Sequence, residues 1–209
     1  MNKPISHMCS GLFSDALDQM GYRNQVITGL ILNQCHLKCF GRARTLQVET
    51  VKTLDENIYM GLTFLESLES GQILCVAGSN EFAYFGELMS RLSMRLSLEG
   101  VVIGGLTRDS SFTQKFADLP IFSQGYSPVD IKGRGRVAST DTPIWIEGVR
   151  ICPDDWIFGD NDGIVVIPAQ IHKELLSRIE QAIKNEADIV DRINRDESIM
   201  EILQHYKEF

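Results

Sequence analysis

The 209-residue sequence has no continuous run of about 18 apolar residues, the length that a membrane-spanning helix requires. Its first residues, MNKPISHMCSG, also lack the apolar segment of a secretory signal peptide. These two absences predict a soluble, cytoplasmic protein that does not act on a membrane.

Basic residues are scarce, with 20 Lys and Arg against 28 Asp and Glu and a net charge of -8. Proteins that bind nucleic acid non-specifically usually present a basic face, so we expect no nucleic-acid partner. A glycine-rich strand–turn–helix near the N-terminus, typical of nucleotide-dependent methyltransferases, is also missing.

The five cysteines are odd in number and scattered, which is typical of free thiols in a reducing compartment. Cys35 and Cys39 flank His36, a spacing that raises the possibility of a zinc site. Because no second Cys or His pair stands at a finger-like spacing, a strand or turn is the favoured interpretation.

Hydrophobic residues make up 44% of the chain, enough for one domain, which we predict to span residues 1–209. Apolar residues at helical spacing predict three long helices, and the tail after Ser198 predicts either an extension of the last one or a restart. The predicted ranges are Ser10–Met20, Asp55–Ser70 with Asp55 as cap, and Ala169–Asn194 after Pro168.

A strand–helix–strand unit is predicted in the middle of the chain. The buried strands are Ile73–Ala77, ending at Gly78, and Val101–Ile103, ending at Gly104 and Gly105. The helix between them starts at Gly86, and its predicted apolar face is Leu88, Met89, Leu92 and Leu96, closed by Gly100. From Ile121 onward, short runs broken by turns predict further strands, with a hairpin turn at Asp162-Gly163. The predicted class is an α/β domain with helices at both ends.

Polar residues follow the carboxyl ends of these two parallel strands, where ligands bind in open sheets. Arg108 and Asp109 come just after the second strand, and Gly86-Glu87-Leu88-Met89 opens the helix with free amides. An arginine, a helix N-terminus and the carboxylates of Glu87 and Asp109 suggest a small acidic substrate held with Mg²⁺ or Mn²⁺. A surface Arg–Asp pair, and a glutamate that only compensates the helix dipole, are the alternatives.

Three segments together resemble the RraA-like family: GSNEFAYFGELMSRLSMRLSLEGVVIGGLTRDSS, PIFSQGYSP and ICPDDWIFGDNDGIVVIP, with FSDALDQMG near the start. The family includes the regulator of ribonuclease E activity A and the class II aldolases that cleave 4-hydroxy-4-methyl-2-oxoglutarate to pyruvate. The resemblance implies a swivelling β/β/α domain, phosphohistidine-domain-like, in a homotrimer or a dimer of trimers with the site between subunits.

The resemblance also implies roles for individual residues. Asp109 would hold the divalent metal, and Arg108 would bind the carboxylate of a 2-oxo acid. The turn from Gly86 to Met89 would hold the oxyanion through its amides, and Glu186 is the candidate contributed by a neighbouring subunit. A metal acting as Lewis acid would stabilise the pyruvate enolate of either aldol cleavage or oxaloacetate decarboxylation, so a Schiff-base lysine is not needed.

This chain departs from the family pattern at three places. Family members often have Asp-Gly at Gly104-Gly105, Pro-Gly-Asp at Pro153-Asp154-Asp155 and Arg at Gln124. The alternative function is a non-catalytic regulator that binds an RNA-degrading endonuclease. The regulators lack the aspartate that follows the arginine, and because this chain has Asp109, a carbon–carbon lyase is the favoured interpretation.

Overall fold

The structure, a computed structural model, describes residues 5–51 and 58–206. The predicted cap Asp55 therefore lies outside the described residues. A short 3-10 turn at Ile5–His7 precedes the helices, which are α1 Ser10–Gln19, α2 Ile58–Glu66, α3 Glu87–Arg95, α4 Ser110–Thr113, α5 His172–Asn194 and α6 Ile199–His205. Among the described residues, no helix combines the length and the apolar character needed to cross a membrane.

The strands form one large mixed sheet and one separate hairpin. They are β1 Val26–Ile27, β2 Ile31–Leu32, β3 Cys39–Thr50, β4 Gln72–Ala77, β5 Ala83–Phe85, β6 Gly100–Thr107, β7 Ile121–Tyr126, β8 Gly135–Thr140, β9 Ile144–Ile146, β10 Val149–Ile151, β11 Trp156–Asp160 and β12 Gly163–Ile167. The order along the sheet is β1-β12-β11-β3-β4-β6-β7-β2, with β8 added on β3 and β5 on β6. This mixed α/β architecture with terminal helices confirms the predicted class.

The centre of the sheet is parallel, through the pairs β3–β4, β4–β6 and β6–β7. Every residue of β4 is buried, as the continuous apolar run in its sequence predicts for a strand covered on both faces. The unit β4–α3–β6 is the predicted strand–helix–strand crossover. Its carboxyl ends at Ala77 and Thr107 therefore emerge on the same side of the sheet.

The prediction that the second strand ends at Gly104-Gly105 is wrong, because β6 continues to Thr107. β4 pairs with β6 as far as Gly104, and β5 then takes over through Ala83 and Phe85, which pair with Leu106 and Thr107. A three-residue strand such as β5 has no recognisable pattern of its own. The extension of β6 depends on this long-range partner and could not be read from local sequence.

Two apolar cores lie on opposite faces of the central sheet. On one face α2 and α3 pack over residues such as Val101, Ile103 and Phe85. On the other, the β9–β10 hairpin contributes Ile144 and Ile146 to a cluster with Val102 and Ile73. A third cluster joins α1 and α5 to the β11–β12 pair, so the terminal helices brace one flank of the sheet.

The prediction that Leu88 lies on the buried face of α3 is wrong, since this side chain is 74% exposed. Ser90 and Ser93 are the buried residues instead. Their hydroxyls donate to the carbonyls of Gly86 and Met89, both at 2.9 Å. Because Ser90 and Ser93 are the buried positions, Leu88 lies on the opposite side of the helix, towards solvent. The helix also ends earlier than predicted, at Arg95, because Gly100 is the first residue of β6.

The C-terminal third of the chain largely follows its sequence signals. The β11–β12 hairpin turns between Asp160 and Gly163, as the Asp-Gly pair predicts. α5 begins at His172 rather than at Ala169, because residues 169–171 form a turn after Pro168. α6 is a restart: Ser198 accepts from the Glu201 amide and completes a capping box.

Asp155 ties the turn before β11 to the turn before α5. Its two carboxylate oxygens accept from the amides of Cys152 at 2.8 Å and Ala169 at 3.1 Å. Burial raises the pKa of this carboxyl, while the two amides act in the opposite direction. The preceding Asp154 has φ of 67°, a conformation that suits the glycine usual in the family.

We predict that Asp155→Ala lowers the free energy of unfolding by about 1–3 kcal/mol, because two amides lose their acceptor. Asp154→Gly is the matched control and should stay within about 0.5 kcal/mol of the parent, because its side chain is exposed and glycine adopts positive φ freely. Urea unfolding of both variants measures the difference. Equal losses would show that the Asp155 carboxylate does not hold the turns together.

Candidate active site

The end of β6 and the start of α3 lie side by side because β5 pairs with β6 and leads directly into the helix. The Arg108 amide donates to the Phe85 carbonyl at 2.9 Å, which continues the strand pairing by one residue. The backbone therefore places Arg108 and Asp109 beside Gly86 and Glu87. The sequence prediction that these two loops meet at one edge is confirmed.

Asp109 is held by its backbone conformation and by the helix end. Its φ and ψ are 61° and 38°, a left-handed conformation that aspartate tolerates better than most residues. Its Oδ2 accepts from the Glu87 amide at 3.0 Å, so a carboxylate lies on the first free amide of α3. The partial positive charge of a helix N-terminus adds to this hydrogen bond in holding the side chain of Asp109 at the start of α3.

Gly86 leaves the space that this contact needs. A Cβ at this position would lie 2.5 Å from Asp109 Oδ2 and 2.8 Å from Arg108 Cγ. Any side chain would therefore push the arginine and the aspartate away from the helix end. The glycine that the sequence marked as the start of the helix is required by this close approach.

Arg108 is flanked by two carboxylates. Its Nε lies 3.7 Å from Asp109 Oδ2, and its Nη1 lies 3.3 Å from Asp130 Oδ2. Asp130 was not among the sequence-predicted residues. Asp130 lies in the loop between β7 and β8. The backbone of this loop runs beside β5, and Asp130 forms a parallel bridge with Ala83. No local pattern around Asp130 signals this contact.

The remaining predicted residues have separate surroundings. Glu87 Oε1 accepts from Arg91 Nε at 2.9 Å and Nη2 at 2.7 Å, one turn along α3. Leu88 and Met89 stand at the second and third positions of α3, where amides have no acceptor within the helix. Glu186 is an exposed residue of α5, which packs on α1, β11 and β12 at the flank of the sheet.

A cavity of about 330 Å³ lies between the start of α3 and the end of β6. Its lining residues are Tyr84, Gly86, Glu87, Leu88, Met89, Arg108 and Asp109. The Tyr84 hydroxyl is buried and has no hydrogen-bond partner among the described residues. Burial raises the pKa of Tyr84 well above its ordinary value, so the hydroxyl keeps its proton. The cavity thus combines an arginine, two carboxylates and helix amides, and no lysine of the described residues lines it.

A second cavity of about 420 Å³ lies beside Arg44, Phe64 and Asp141. Arg44 donates to both oxygens of Asp141, at 2.8 and 2.7 Å, and its guanidinium lies 5.1 Å from the Phe64 ring centre. The Arg44 guanidinium in this cavity is already engaged in a bidentate ion pair with Asp141. The cavity at α3, whose arginine makes only longer ion pairs, is the better candidate for an acidic ligand.

A sequence model of the family described as Aldolase/RraA matches residues 12–166, most of the chain. The chain belongs to the RraA-like family. A 4-hydroxy-4-methyl-2-oxoglutarate aldolase of Thermus thermophilus is 30% identical over 135 residues, which cover 61% of this chain and 78% of that enzyme.

Two further proteins are similar to most of this chain. Protein DlpA of Legionella pneumophila is 25% identical over 171 residues, and this chain, 81% of which is matched, spans only 28% of its length. The crystal structure of Streptomyces coelicolor RraAS2, described as an unusual member of the RNase ES inhibitor RraA family, superposes with a TM-score of 0.76. It is 24% identical, with 93% of this chain and 98% of that chain covered, and so shows the fold alone.

The structure gives physical reasons for the departures from the RraA-like pattern. A Cβ on Gly104 would lie 2.8 Å from the side chain of Ile146, so the β9–β10 hairpin fills the space that an aspartate there would need. Gln124 donates to Glu147, which lies in the same hairpin. Both positions therefore face the β9–β10 hairpin, and neither lines the cavity at α3.

We predict that Gly86→Ala lowers the free energy of unfolding by about 1–3 kcal/mol, because the added Cβ meets Asp109 and Arg108. Gly11→Ala in α1 is the control: its Cβ would lie 3.8 Å from Cys9 Sγ, and alanine should stabilise the helix by up to about 1 kcal/mol. Urea unfolding and a crystal structure of Gly86→Ala test this. Parental stability with the Asp109–Glu87 hydrogen bond intact would contradict it.

Proposed function

We propose that the protein is a divalent-metal-dependent lyase that releases pyruvate from 4-hydroxy-2-oxo acids or from oxaloacetate. The observation that carries the proposal is the convergence of Arg108, Asp109 and the N-terminus of α3 in one cavity. An arginine and helix amides suit the carboxylate and the developing enolate oxygen of such a substrate. The Thermus thermophilus relative is an aldolase of this substrate class by name.

The charges around the cavity support a need for a cation. Arg108 and Arg91 stand against Asp109, Asp130 and Glu87, which leaves a net charge of -1. A dianionic substrate would be repelled by this group of charges in the absence of a counter-ion. A bound divalent cation reverses the sign to +1 and makes the same site attractive.

The donor set fits Mg²⁺ or Mn²⁺ better than a softer metal. The described residues contain no cluster of three or more His, Cys, Asp or Glu side chains, and so they form no closed cage for a metal. Mg²⁺ is commonly bound through one or two carboxylates while it keeps several waters. One oxygen of Asp109 is engaged by the Glu87 amide, and its second oxygen would hold the ion. When bound, the ion would supply Lewis-acid stabilisation of the 2-oxo group.

The side chains and amides of this chain would bind the substrate and stabilise the charge that develops on it. Arg108 would take the substrate carboxylate through its fork, and the amides of Leu88 and Met89 would face the oxygen on which charge develops. In the aldol cleavage the 4-hydroxyl gives its proton to water and becomes a carbonyl, the C3–C4 bond breaks, and its electrons pass to the enolate of pyruvate. The enolate then takes up a proton from water at C3 to give pyruvate. Tyr84 would form one wall of the cavity beside that enolate.

Oxaloacetate decarboxylation produces the same enolate, with carbon dioxide as the leaving fragment, so one site serves both reactions. We propose that the distal part of the substrate is selected near Gly104 and Gln124, which do not line the cavity at α3 but are positions at which the chain departs from the RraA-like pattern. Glycine and glutamine replace an acid and an arginine usual in the family, and both contact the β9–β10 hairpin. We therefore propose a substrate whose distal end differs from that of 4-hydroxy-4-methyl-2-oxoglutarate.

We also propose that the active protein is a homotrimer or a dimer of trimers. Leu88, at the rim of the cavity, is 74% exposed, and Phe112 of α4 and Tyr126 of β7 are further large exposed side chains in neighbouring elements. Such apolar surface beside a polar cleft is typical of an interface. Coverage by another subunit would exclude water from the site, and Glu186 of that subunit remains the proposed contributor.

The purified protein should release pyruvate from oxaloacetate with Mg²⁺ or Mn²⁺, and the release should stop when a chelator is added. Asp109→Asn should lower kcat/KM at least about 100-fold, which corresponds to about 3 kcal/mol of transition-state stabilisation. A coupled assay for pyruvate measures both effects, with 4-hydroxy-4-methyl-2-oxoglutarate as second substrate.

Asp118→Asn, an exposed carboxylate after α4 that does not line the cavity, is the control for that assay. Turnover that resists chelation, or an Asp109→Asn variant with parental activity, would contradict the metal role. A folded protein without turnover on either substrate, but with affinity for an RNA-degrading endonuclease, would favour the regulator function instead.

Sedimentation velocity should give a trimer or hexamer of the 23.5 kDa chain. The double variant Leu88→Glu, Phe112→Glu should dissociate it, because charges in an apolar interface are costly to bury. Leu203→Glu, another exposed apolar residue but in α6, is the control. A monomeric parent protein would contradict the assembly.

A further inference from the structure

Asp130 is fixed by its backbone on both sides. The Ala83 amide donates to the Val129 carbonyl at 2.7 Å, and Ala83 and Asp130 form a parallel bridge. The flanking side chains of Val129 and Ile131 pack against the core beneath α2 and α3. The loop that carries Asp130 is thus attached to β5, the strand that also delivers the N-terminus of α3.

This attachment brings the Asp130 carboxylate to one edge of the Arg108 guanidinium, at 3.3 Å from Nη1. Asp109 lies near the other edge, at 3.7 Å from Nε. The backbone of Arg108 is already bonded to Phe85. The guanidinium is therefore flanked on two sides, and no described residue forms a hydrogen bond with its Nη2 nitrogen, which is left for a ligand.

The contact has little to do with the stability of the fold. The side chains of Arg108 and Asp130 are 37% and 42% exposed, and ion pairs that are this accessible to water contribute little to folding. An arginine side chain, however, loses substantial rotamer entropy when a ligand immobilises it. A partner that fixes the guanidinium beforehand reduces that loss.

We propose that Asp130 is a positioning residue that orients Arg108 for the substrate carboxylate, an inference that rests on the proposed function. It acts through Arg108 and does not contact the reacting atoms. The contribution is to binding of the carboxylate in both the ground state and the transition state, so it affects KM more than kcat.

An alternative role for Asp130 predicts a change in KM in the opposite direction. If Asp130 only neutralised Arg108, its removal would free the arginine and make the site less negative, and KM would fall. If Asp130 orients Arg108, its removal raises KM in spite of the gain in positive charge. The direction of the change in KM therefore decides between the two roles.

The experiment compares full-length Asp130→Asn and Asp130→Glu with the parent protein, using steady-state kinetics on oxaloacetate with Mg²⁺. Calorimetric binding of oxalate with Mg²⁺ serves as a second readout, because oxalate imitates the planar enolate of pyruvate and needs no turnover. Glu49→Gln is the matched control, since its pair with Arg136 is similarly exposed, at 44% for each side chain, and lies outside the cavity.

Asp130→Asn should raise KM and the oxalate Kd by about tenfold with kcat within about twofold, the scale expected for immobilising one long side chain. Asp130→Glu should recover most of this loss, and Glu49→Gln should show none. An unchanged or lower KM and Kd in Asp130→Asn would overturn the proposal.

The two proposals can fail separately. If the parent protein releases no pyruvate but binds oxalate, the proposed function fails and the Kd values alone decide the role of Asp130. If the parent protein does not bind oxalate with Mg²⁺ either, the role of Arg108 as a carboxylate ligand is lost, and the proposal for Asp130 is overturned with it.

Discussion

The candidate site depends on one feature of the sheet: β6 changes its pairing partner from β4 to β5 along its length. β6 pairs with β4 up to Gly104 and with β5 from Leu106 onward. A Cβ on Gly105, where the partner changes, would lie 2.4 Å from the Ser79 carbonyl oxygen, so the backbones approach too closely for a side chain. Because β5 runs straight into α3, the same pairing sets the helix N-terminus beside Arg108 and Asp109.

The electrostatics of the site follow from that placement. The free amides of α3 attract the carboxylate of Asp109, and the loop held by β5 adds Asp130 on the other side of Arg108. One arginine thus stands between two acids, in a group of charges that is negative overall. A counter-ion would lower the repulsion between this group of charges and an acidic ligand, which agrees with the proposed metal-dependent enolate chemistry.

Prediction from the sequence succeeded where a local pattern carried the information. The buried strand β4, the Asp-Gly hairpin and the meeting of the Gly86 and Arg108 loops all follow from runs of a few residues. For the tail, the sequence left extension and restart open, and the capping box at Ser198 shows a restart. The prediction failed for Leu88, because the fully buried positions of α3 are Ser90 and Ser93, and Leu88 lies away from them. It also placed the end of β6 too early, because the strand β5 that extends the pairing is too short to be recognised.

The sequence by itself determined the class of fold, the crossover that brings the two loops to one edge, and the residue types that bear the chemistry. The tertiary structure alone decided that Asp109 rests on the Glu87 amide, that Gly86 must lack a side chain, and that Asp130 reaches Arg108. The physical reason is the range of the interactions. Periodicity and capping act within a few residues, whereas strand pairing and close backbone approach join segments far apart in the chain, and their register is set only when the whole sheet has formed.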